Sequence, residues 1–118
     1  MAKQDVMDMT MERGDGVLSV DVEGRIDGST VMAFQEAIES AVEDGDRAVI
    51  VDCERLHFIG SAGLRTVLAI AKTLSNRDTR FSLCSLSDQV RVVFEKSGFD
   101  TIITIHASRD EALASVDG

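Results

Sequence analysis

The sequence predicts an α/β fold, a mixed sheet with an N-terminal β-hairpin followed by alternating helices and mostly parallel strands. Apolar and polar residues alternate at 6–12 and again at 17–24, on either side of a glycine-rich turn, as in an antiparallel hairpin. From Ser29 to Val42, apolar residues instead recur every three or four positions, the spacing of one helical stripe. The segment AVIVD at 48–52, with its continuous β-branched run, is typical of a strand covered on both faces, and such strands are usually parallel.

The first predicted helix follows the hairpin, whose turn is RGDG at 13–16. Asp27 or Ser29 is expected to cap its start, because both side chains accept hydrogen bonds from free backbone N–H groups. The segment EDGD at 43–46 is expected to end it, with Gly45 available for a left-handed conformation. The apolar stripe of this helix comprises Val31, Phe34, Ile38 and Ala41.

The second predicted helix follows the buried strand and the segment FIGSAGL at 58–64. It runs from Ala62 to about Ser75, and its apolar stripe comprises Leu64, Val67, Leu68, Ala71 and Leu74. The closing elements are a strand at 80–84, a helix at 87–98 capped by Ser87 or Asp88 and ended by Gly98, a strand at 101–105, and a helix at 108–116 with Ala112, Leu113 and Val116 inward. The predicted order is ββαβαβαβα, which places FIGSAGL at the carboxyl edge of the sheet, where functional loops cluster.

Length and composition favour a single domain, residues 1–118, with a core from about 6 to 116. The 118 residues contain no repeat or linker, and 44% are hydrophobic, with five Phe and no Trp or Tyr. A net charge of −9 disfavours nucleic acid and anionic membranes as partners and favours a protein with a basic face. No apolar run has the length of a signal peptide or a spanning helix, so we expect a cytoplasmic protein without membrane insertion, with Cys53 and Cys84 reduced and buried.

The elbow FIGSAGL places Ser61 among glycines at the start of a helix, where several chemistries are open. A nucleophile needs a base, and the two histidines, His57 and His106, have no spacing that indicates a triad. A phosphate cradle of the P-loop type needs a lysine that this segment lacks. Scattered acids such as Asp27 and Asp52 are ordinarily solvated or capping groups rather than metal ligands. We therefore expect no catalytic residue, no metal and no cofactor.

Two compatible interpretations of Ser61 remain. Its hydroxyl is expected to cap the helix by accepting a hydrogen bond from the N–H of Gly63 or Leu64, which contributes about 1 kcal/mol. The small residues around it, Gly60, Ala62 and Gly63, also leave the hydroxyl open to the active site of a second protein. A phosphate on Ser61 would be tolerated, because free N–H groups and the helix dipole favour an anion. It would also place a bulky dianion in front of any partner docked on this edge.

Three segments occur in an order that carries a family resemblance. They are EGRID at 23–27, AVIVDCERLHFIGSAGLRTVLAIAK at 48–72 and LCSLSDQVRVVFEKSGFDTIITIHASRDEALASV at 83–116. Together they resemble a stand-alone STAS domain of the bacterial anti-sigma-factor-antagonist family. The resemblance covers nearly the whole chain, and the order of the three segments makes it more specific than any single motif.

The resemblance implies a regulatory binding module and not an enzyme. Members of the family bind a serine kinase, the anti-sigma factor, which then releases its sigma factor. Phosphorylation of the elbow serine blocks this binding, and a PP2C-type phosphatase restores it. By position, the resemblance makes Ser61 the phosphorylated residue, with a partner surface that comprises Asp27, Gly60, Ser61, Ala62, Gly63 and Arg65.

Gly60 departs from the family pattern, in which an Asp often precedes the phosphorylated serine. The following residue is Ala62, so no second hydroxyl can replace that of Ser61. This departure favours an alternative function, in which the chain is a non-phosphorylated STAS interaction subunit of a signalling scaffold or a transport system.

Overall fold

Five strands and four α-helices follow one another in residues 7–117, in the order that the sequence predicts. The structure is a computed structural model that describes these residues, so the expected strand start at Val6 lies outside it. The strands are β1 (Asp8–Gly14), β2 (Val17–Ile26), β3 (Ala48–Ile59), β4 (Arg80–Cys84) and β5 (Thr104–His106). The helices are α1 (Val31–Ala41), α2 (Ser61–Ser75), α3 (Asp88–Ser97) and α4 (Arg109–Asp117). None of these helices is long and apolar enough to cross a bilayer.

The five strands form one mixed sheet in the order β1-β2-β3-β4-β5. β1 is antiparallel to β2 and the other neighbours are parallel, which confirms the predicted fold class. Gly14 and Val17 are the last paired residues of the hairpin, and Asp15 and Gly16 form the two-residue turn between them. Both turn residues have positive φ, 55° and 77°. This is the backbone geometry of a type I′ turn, for which Asp-Gly is a preferred sequence.

Apolar side chains cover both faces of the sheet, which explains the unbroken apolar run at the start of β3. Val49 and Val51 pack with side chains of α1, α2 and α3 in the larger buried cluster. Ile50 points to the opposite face and packs with Ala112 of α4, beside Leu113 and Val116, the three residues predicted to face inward. A strand buried on both sides has no polar face, so its sequence shows no alternation.

β3 continues past its predicted end at Asp52 and runs to Ile59. Its second half pairs with the end of β2 through register shifts, so the apolar and polar residues lose their regular alternation there. Of the residues of β3, only Ala48–Asp52 pair with β4. β2 and β3 therefore project beyond β4 as a two-stranded ribbon, and the elbow lies at the tip of this ribbon.

The two ends of α1 differ from the predictions. Thr30 is the residue before the helix and no side chain caps it, so the prediction that Asp27 or Ser29 caps α1 is wrong. Gly45 is not among the residues with positive φ, so its predicted left-handed conformation is also wrong. The carboxylate of Asp46 accepts a hydrogen bond from the Glu43 N–H at 2.8 Å, and this side chain closes the turn after the helix instead.

The predictions for α3 are confirmed, but β5 begins later than predicted. Ser87 caps α3 by accepting a backbone hydrogen bond at 3.3 Å, and Gly98 ends the helix with a φ of 78°. The next residues, Phe99–Thr101, form a short 3-10 turn in which the Thr101 hydroxyl donates to the Gly98 carbonyl at 2.7 Å. The prediction of a strand from Thr101 is therefore wrong, and β5 starts at Thr104.

Cys53 and Cys84 are free thiols buried on opposite faces of the sheet. Burial raises the pKa of Cys53 above its ordinary value and raises the pKa of Cys84 to about 11. Both thiols therefore stay protonated at neutral pH and pack as small apolar side chains, as the sequence predicts.

Candidate functional site

The elbow lies where β2 and β3 end together. Ile26 and Ile59 are the last paired residues of these two strands. Beyond them, the N–H of Gly60 donates a hydrogen bond to the carbonyl of Ile26 at 2.9 Å. The loop that starts at Asp27 and the helix that starts at Ser61 therefore leave the sheet side by side, at its carboxyl edge.

Ser61 is the first residue of α2 and does not cap it. The N-cap is Gly60, whose backbone is extended, with a φ of −96° and a ψ of −179°. The Gly60 carbonyl accepts a hydrogen bond from the Leu64 N–H at 3.0 Å. No side chain caps this helix, so the predicted cap by the Ser61 hydroxyl is wrong. Ser61 is exposed, and its hydroxyl has no hydrogen-bond partner among the described residues.

The start of α2 can accommodate an anion. The first N–H groups of any α-helix have no partner within the helix. Here the N–H groups of Ser61, Ala62 and Gly63 remain free, because no acceptor among the described residues takes a hydrogen bond from them. No acidic residue occupies the first turn. The helix dipole adds partial positive charge at the same end.

Gly63 lets α2 approach the ends of β2 and β3. A Cβ atom here would lie 2.7 Å from Cγ1 of Ile59, 2.8 Å from Cγ2 of Ile26 and 3.0 Å from the carbonyl oxygen of Ile26. Carbon atoms in favourable contact are about 3.5–4.0 Å apart. Gly63 is buried, so it offers no surface of its own, and its role in the elbow is steric. This packing explains why the helix carries a residue of poor helix propensity in its first turn.

Gly60, in contrast, has room for a side chain. A Cβ atom here would lie 3.4 and 3.6 Å from two carbons of the Phe58 ring, which is ordinary van der Waals contact. Its negative φ is one that any residue adopts without strain. The fold therefore permits an Asp before Ser61, although this sequence has glycine there.

Asp27 is an ionised group held in place by its neighbours. Its carboxylate accepts hydrogen bonds from the hydroxyl and the N–H of Ser29, at 2.7 and 2.9 Å, and from Nε of Arg25 at 3.1 Å. These hydrogen bonds, above all the one from the Ser29 hydroxyl, lower the pKa of Asp27 to about 2. The side chain is 25% exposed, so a charged oxygen remains accessible at this edge.

Arg25 and Phe58 flank the elbow, and neither was predicted from the sequence as a site residue. They lie opposite each other in the pairing of β2 with β3. The guanidinium carbon of Arg25 is 4.4 Å from the centroid of the Phe58 ring, a cation–π contact. Phe58 is 41% exposed. In a regular strand, the alternation of apolar and polar residues shows from the sequence which side chains point outward. The register shifts between β2 and β3 interrupt this alternation, so the sequence does not show that Arg25 and Phe58 point outward.

Arg65 lies one helical turn after Ser61, on the same exposed side of α2. Ala62 is half-buried between the two. Of the residues that the sequence analysis assigns to a partner surface, the structure thus brings Asp27, Gly60, Ser61, Ala62 and Arg65 to one accessible edge. Gly63 supports this edge from beneath.

The histidines do not support nucleophilic catalysis at Ser61. His57 is an exposed residue of β3. His106 ends β5, where its Nε2 lies 3.4 Å from the Ser115 hydroxyl oxygen and its Nδ1 lies 3.6 Å from a Glu111 carboxylate oxygen. Within residues 7–117 neither histidine forms a hydrogen bond with Ser61, so no imidazole is placed to activate its hydroxyl.

The described residues hold no metal-binding cluster at the elbow, and a groove of about 640 Å³ lies away from it. No group of His, Cys, Asp or Glu side chains in the described range is arranged to hold a metal ion. The groove lies at the other end of the sheet, where Ala48 and Arg80 begin β3 and β4 and Ser75 ends α2. The elbow is instead an open edge, a shape that suits contact with another protein.

Comparisons with known proteins agree with this fold. The family model of the STAS domain matches residues 8–112. The "Putative anti-sigma factor antagonist BtrV" of Bordetella bronchiseptica is 38% identical over 109 residues, which cover 92% of this chain and 94% of BtrV.

Solved structures extend the comparison. The crystal structure of an anti-sigma factor antagonist from Mycobacterium paratuberculosis matches with a TM-score of 0.87 at 30% identity, covering 97% of each chain. The anti-sigma factor antagonist SpoIIAA in its unphosphorylated form matches with a TM-score of 0.78 at 26% identity, covering 94% of this chain and 97% of SpoIIAA. Bacillus SpoIIAA in its phosphorylated form matches with a TM-score of 0.70 at 25% identity, covering 92% of this chain and 99% of SpoIIAA. The family model, the relatives and the shared fold show that this chain belongs to the STAS domain family.

Proposed function

We propose that this chain is an anti-sigma-factor antagonist that binds an anti-sigma serine kinase and is switched off by phosphorylation of Ser61. Binding makes the kinase release its sigma factor, and a PP2C-type phosphatase returns the chain to its binding form. The module is one domain, residues 1–118, and acts in the cytoplasm, where sigma factors direct transcription. The names of its relatives support the general role, and the geometry of the elbow supports the choice of residue.

The observation that carries the proposal is the exposed hydroxyl of Ser61, which has no hydrogen bond to break. Phosphoryl transfer needs the attacking oxygen in line with the γ-phosphate of ATP. The small neighbours Gly60 and Ala62 leave that approach open. By contrast, the hydroxyl of Ser87 is committed to the cap of α3, and Ser82 is buried.

The phosphorylated product is compatible with the fold. The free N–H groups at the start of α2 and the helix dipole favour the added dianion at Ser61. Arg65 adds a positive charge one turn along the same side of the helix. SpoIIAA matches this chain in both its unphosphorylated and its phosphorylated form, which supports a switch without large rearrangement.

Phosphorylation prevents binding through charge and bulk at the docked edge. A serine kinase holds a nucleotide polyphosphate opposite the hydroxyl it modifies, so a phosphate on Ser61 meets like charge at close range. A phosphoserine carries about −1.5 to −2 charges, and burying them in a packed interface adds a large desolvation cost.

The proposed partner surface comprises Asp27, Gly60, Ser61, Ala62 and Arg65, with Gly63 supporting it from within. Gly60 is the residue that favours the alternative, a non-phosphorylated interaction subunit of a scaffold or a transport system. Because the fold has room for a side chain at this position, Gly60→Asp tests whether an acid before the serine improves phosphorylation.

The experiment is a kinase assay with the purified chain, ATP and each anti-sigma serine kinase of its own genome. We expect one phosphate, mapped to Ser61 by mass spectrometry. Ser61→Ala should accept none, while Ser40→Ala, which changes an exposed serine of α1, should react like the wild type. If both the wild-type chain and Gly60→Asp bound a kinase tightly but accepted no phosphate, the result would support the alternative, a non-phosphorylated interaction subunit. Absence of binding to every such kinase would contradict both the switch and the antagonist role.

A further inference from the structure

We infer that Phe58 and Arg25 form a second contact element for the same kinase, beside the elbow. The inference rests on the proposed function and adds to it the side chain that anchors the partner. Phe58 is 41% exposed, whereas Phe34 and Phe94 expose 0% and 1%. In a chain with five Phe and no Trp or Tyr, this partly exposed ring at the functional edge is an aromatic side chain that a docked partner would contact.

The two side chains lie on the outer face of the ribbon. Ile26 and Ile59, the next residues of both strands, point into the core and are 1% and 3% exposed. Successive side chains of a strand point to opposite faces, so Arg25 and Phe58 point away from the core. The ring reaches the elbow, because two of its carbons lie 3.4 and 3.6 Å from the place of a Gly60 Cβ. A protein that docks over the elbow therefore also meets this ring.

The pair has the residue types of a binding hot spot, and its side chains are fixed in position before a partner binds. Aromatic and Arg side chains supply most of the binding energy at many protein interfaces. Two contacts within the chain fix Arg25 before any partner binds. Its guanidinium carbon lies 4.4 Å from the centroid of the Phe58 ring, and its Nε donates a hydrogen bond to the Asp27 carboxylate at 3.1 Å. Little side-chain freedom is left to lose on binding, which lowers the entropic cost of association.

The geometry also defines the chemistry of the partner. Arg25 uses its Nε for Asp27, and its terminal guanidinium nitrogens have no acceptor within the described residues. The kinase is expected to offer a carboxylate or carbonyl oxygen to these nitrogens, next to an apolar socket for the Phe58 ring. Glycine at position 60 keeps the near side of the ring open to that socket.

The test measures the dissociation constant of the kinase that phosphorylates the wild-type chain in the assay above. Phe58→Ala should weaken binding about tenfold or more, as truncation of an anchoring aromatic does. Val92→Ala is the matched control, since Val92 is also 41% exposed but lies on α3, and it should change binding less than about twofold. Arg25→Ala should act like Phe58→Ala, and the double variant should lose little more, because the two side chains support each other.

Phosphorylation kinetics separate this contact from the chemistry at Ser61. Phe58→Ala should raise KM for the chain as kinase substrate while kcat stays within about twofold, because the ring binds the partner and does not touch the reacting oxygen. Its thermal midpoint should match that of Val92→Ala, which shows that the fold is retained. Wild-type binding and KM in Phe58→Ala, or a fall in kcat alone, would overturn the contact element and leave the Ser61 switch intact. Phe58→Ala should weaken kinase binding by the same factor in the Ser61→Ala chain, which accepts no phosphate, as in the wild type, because the contact element acts independently of Ser61; a smaller factor would overturn that independence.

Discussion

Gly63→Ala should destabilise the protein even though alanine is the better helix former. The added Cβ would lie 2.7 Å from Ile59 and 2.8 Å from Ile26. Both isoleucines are stiff, β-branched side chains, 3% and 1% exposed, so neither can rotate away without opening the core. Overpacking of this kind costs about 1–3 kcal/mol, and the gain in helix propensity is at most about 1 kcal/mol. We expect a net loss of about 1–2 kcal/mol in the free energy of unfolding.

Urea unfolding followed by circular dichroism measures this loss. With an m-value of about 2 kcal/mol/M, the midpoint should fall by about 0.5–1 M. Gly60→Ser is the matched control, because a side chain fits there at 3.4 and 3.6 Å from the Phe58 ring and serine is a better N-cap than glycine. It should equal or slightly exceed the wild type. If Gly63→Ala were as stable as the wild type, the close approach of α2 to the ends of β2 and β3 would be refuted.

Three further predictions concern single side chains. Ser87→Ala should lower the free energy of unfolding by about 1 kcal/mol through loss of the α3 cap, and an unchanged urea midpoint would contradict the cap. Ser29→Ala should raise the pKa of Asp27 from about 2 toward its ordinary value, measured by carbon NMR of the carboxyl group; no change would show that this hydroxyl does not hold the charge. Hydrogen bonds from Arg13, at 2.9 and 2.8 Å, lower the pKa of the buried Asp46 below its unfolded value of about 3.9. Its contribution to stability is therefore present above about pH 4 and lost as the pH falls through the lower, folded pKa. Asp46→Asn should make the acid unfolding curve shallower, and an identical curve would contradict the role of this pair.

The fold could be predicted wherever the local sequence reports its surroundings directly. Ala48–Val51 lies between two helical layers and is apolar throughout, and Asp15–Gly16 matches the positive φ values of its turn. The second half of β3 and the start of β5 could not be predicted in the same way. The first depends on register shifts against β2, and the second on the 3-10 turn at Phe99–Thr101.

The candidate site could be located from the sequence but not described in detail. If α2 began at Ala62, as predicted, Ser61 would be its N-cap residue, but α2 begins one residue earlier and the Ser61 hydroxyl is free. A sequence pattern does not define the start of a helix to a single residue. The cation–π pair of Arg25 and Phe58 joins residues far apart in the chain, so only the pairing of β2 with β3 reveals it. Gly63 was expected to expose a surface, whereas its role depends on atoms of Ile26 and Ile59 that no local motif encodes.

The central claim is that phosphorylation of Ser61 switches binding to the kinase. Isothermal titration calorimetry of the cognate anti-sigma serine kinase with the unphosphorylated and the Ser61-phosphorylated chain tests it most directly. We predict that the unphosphorylated chain binds and that the phosphorylated chain binds at least about a hundredfold more weakly, a difference of about 2.7 kcal/mol. Equal affinities of the two forms would contradict the account.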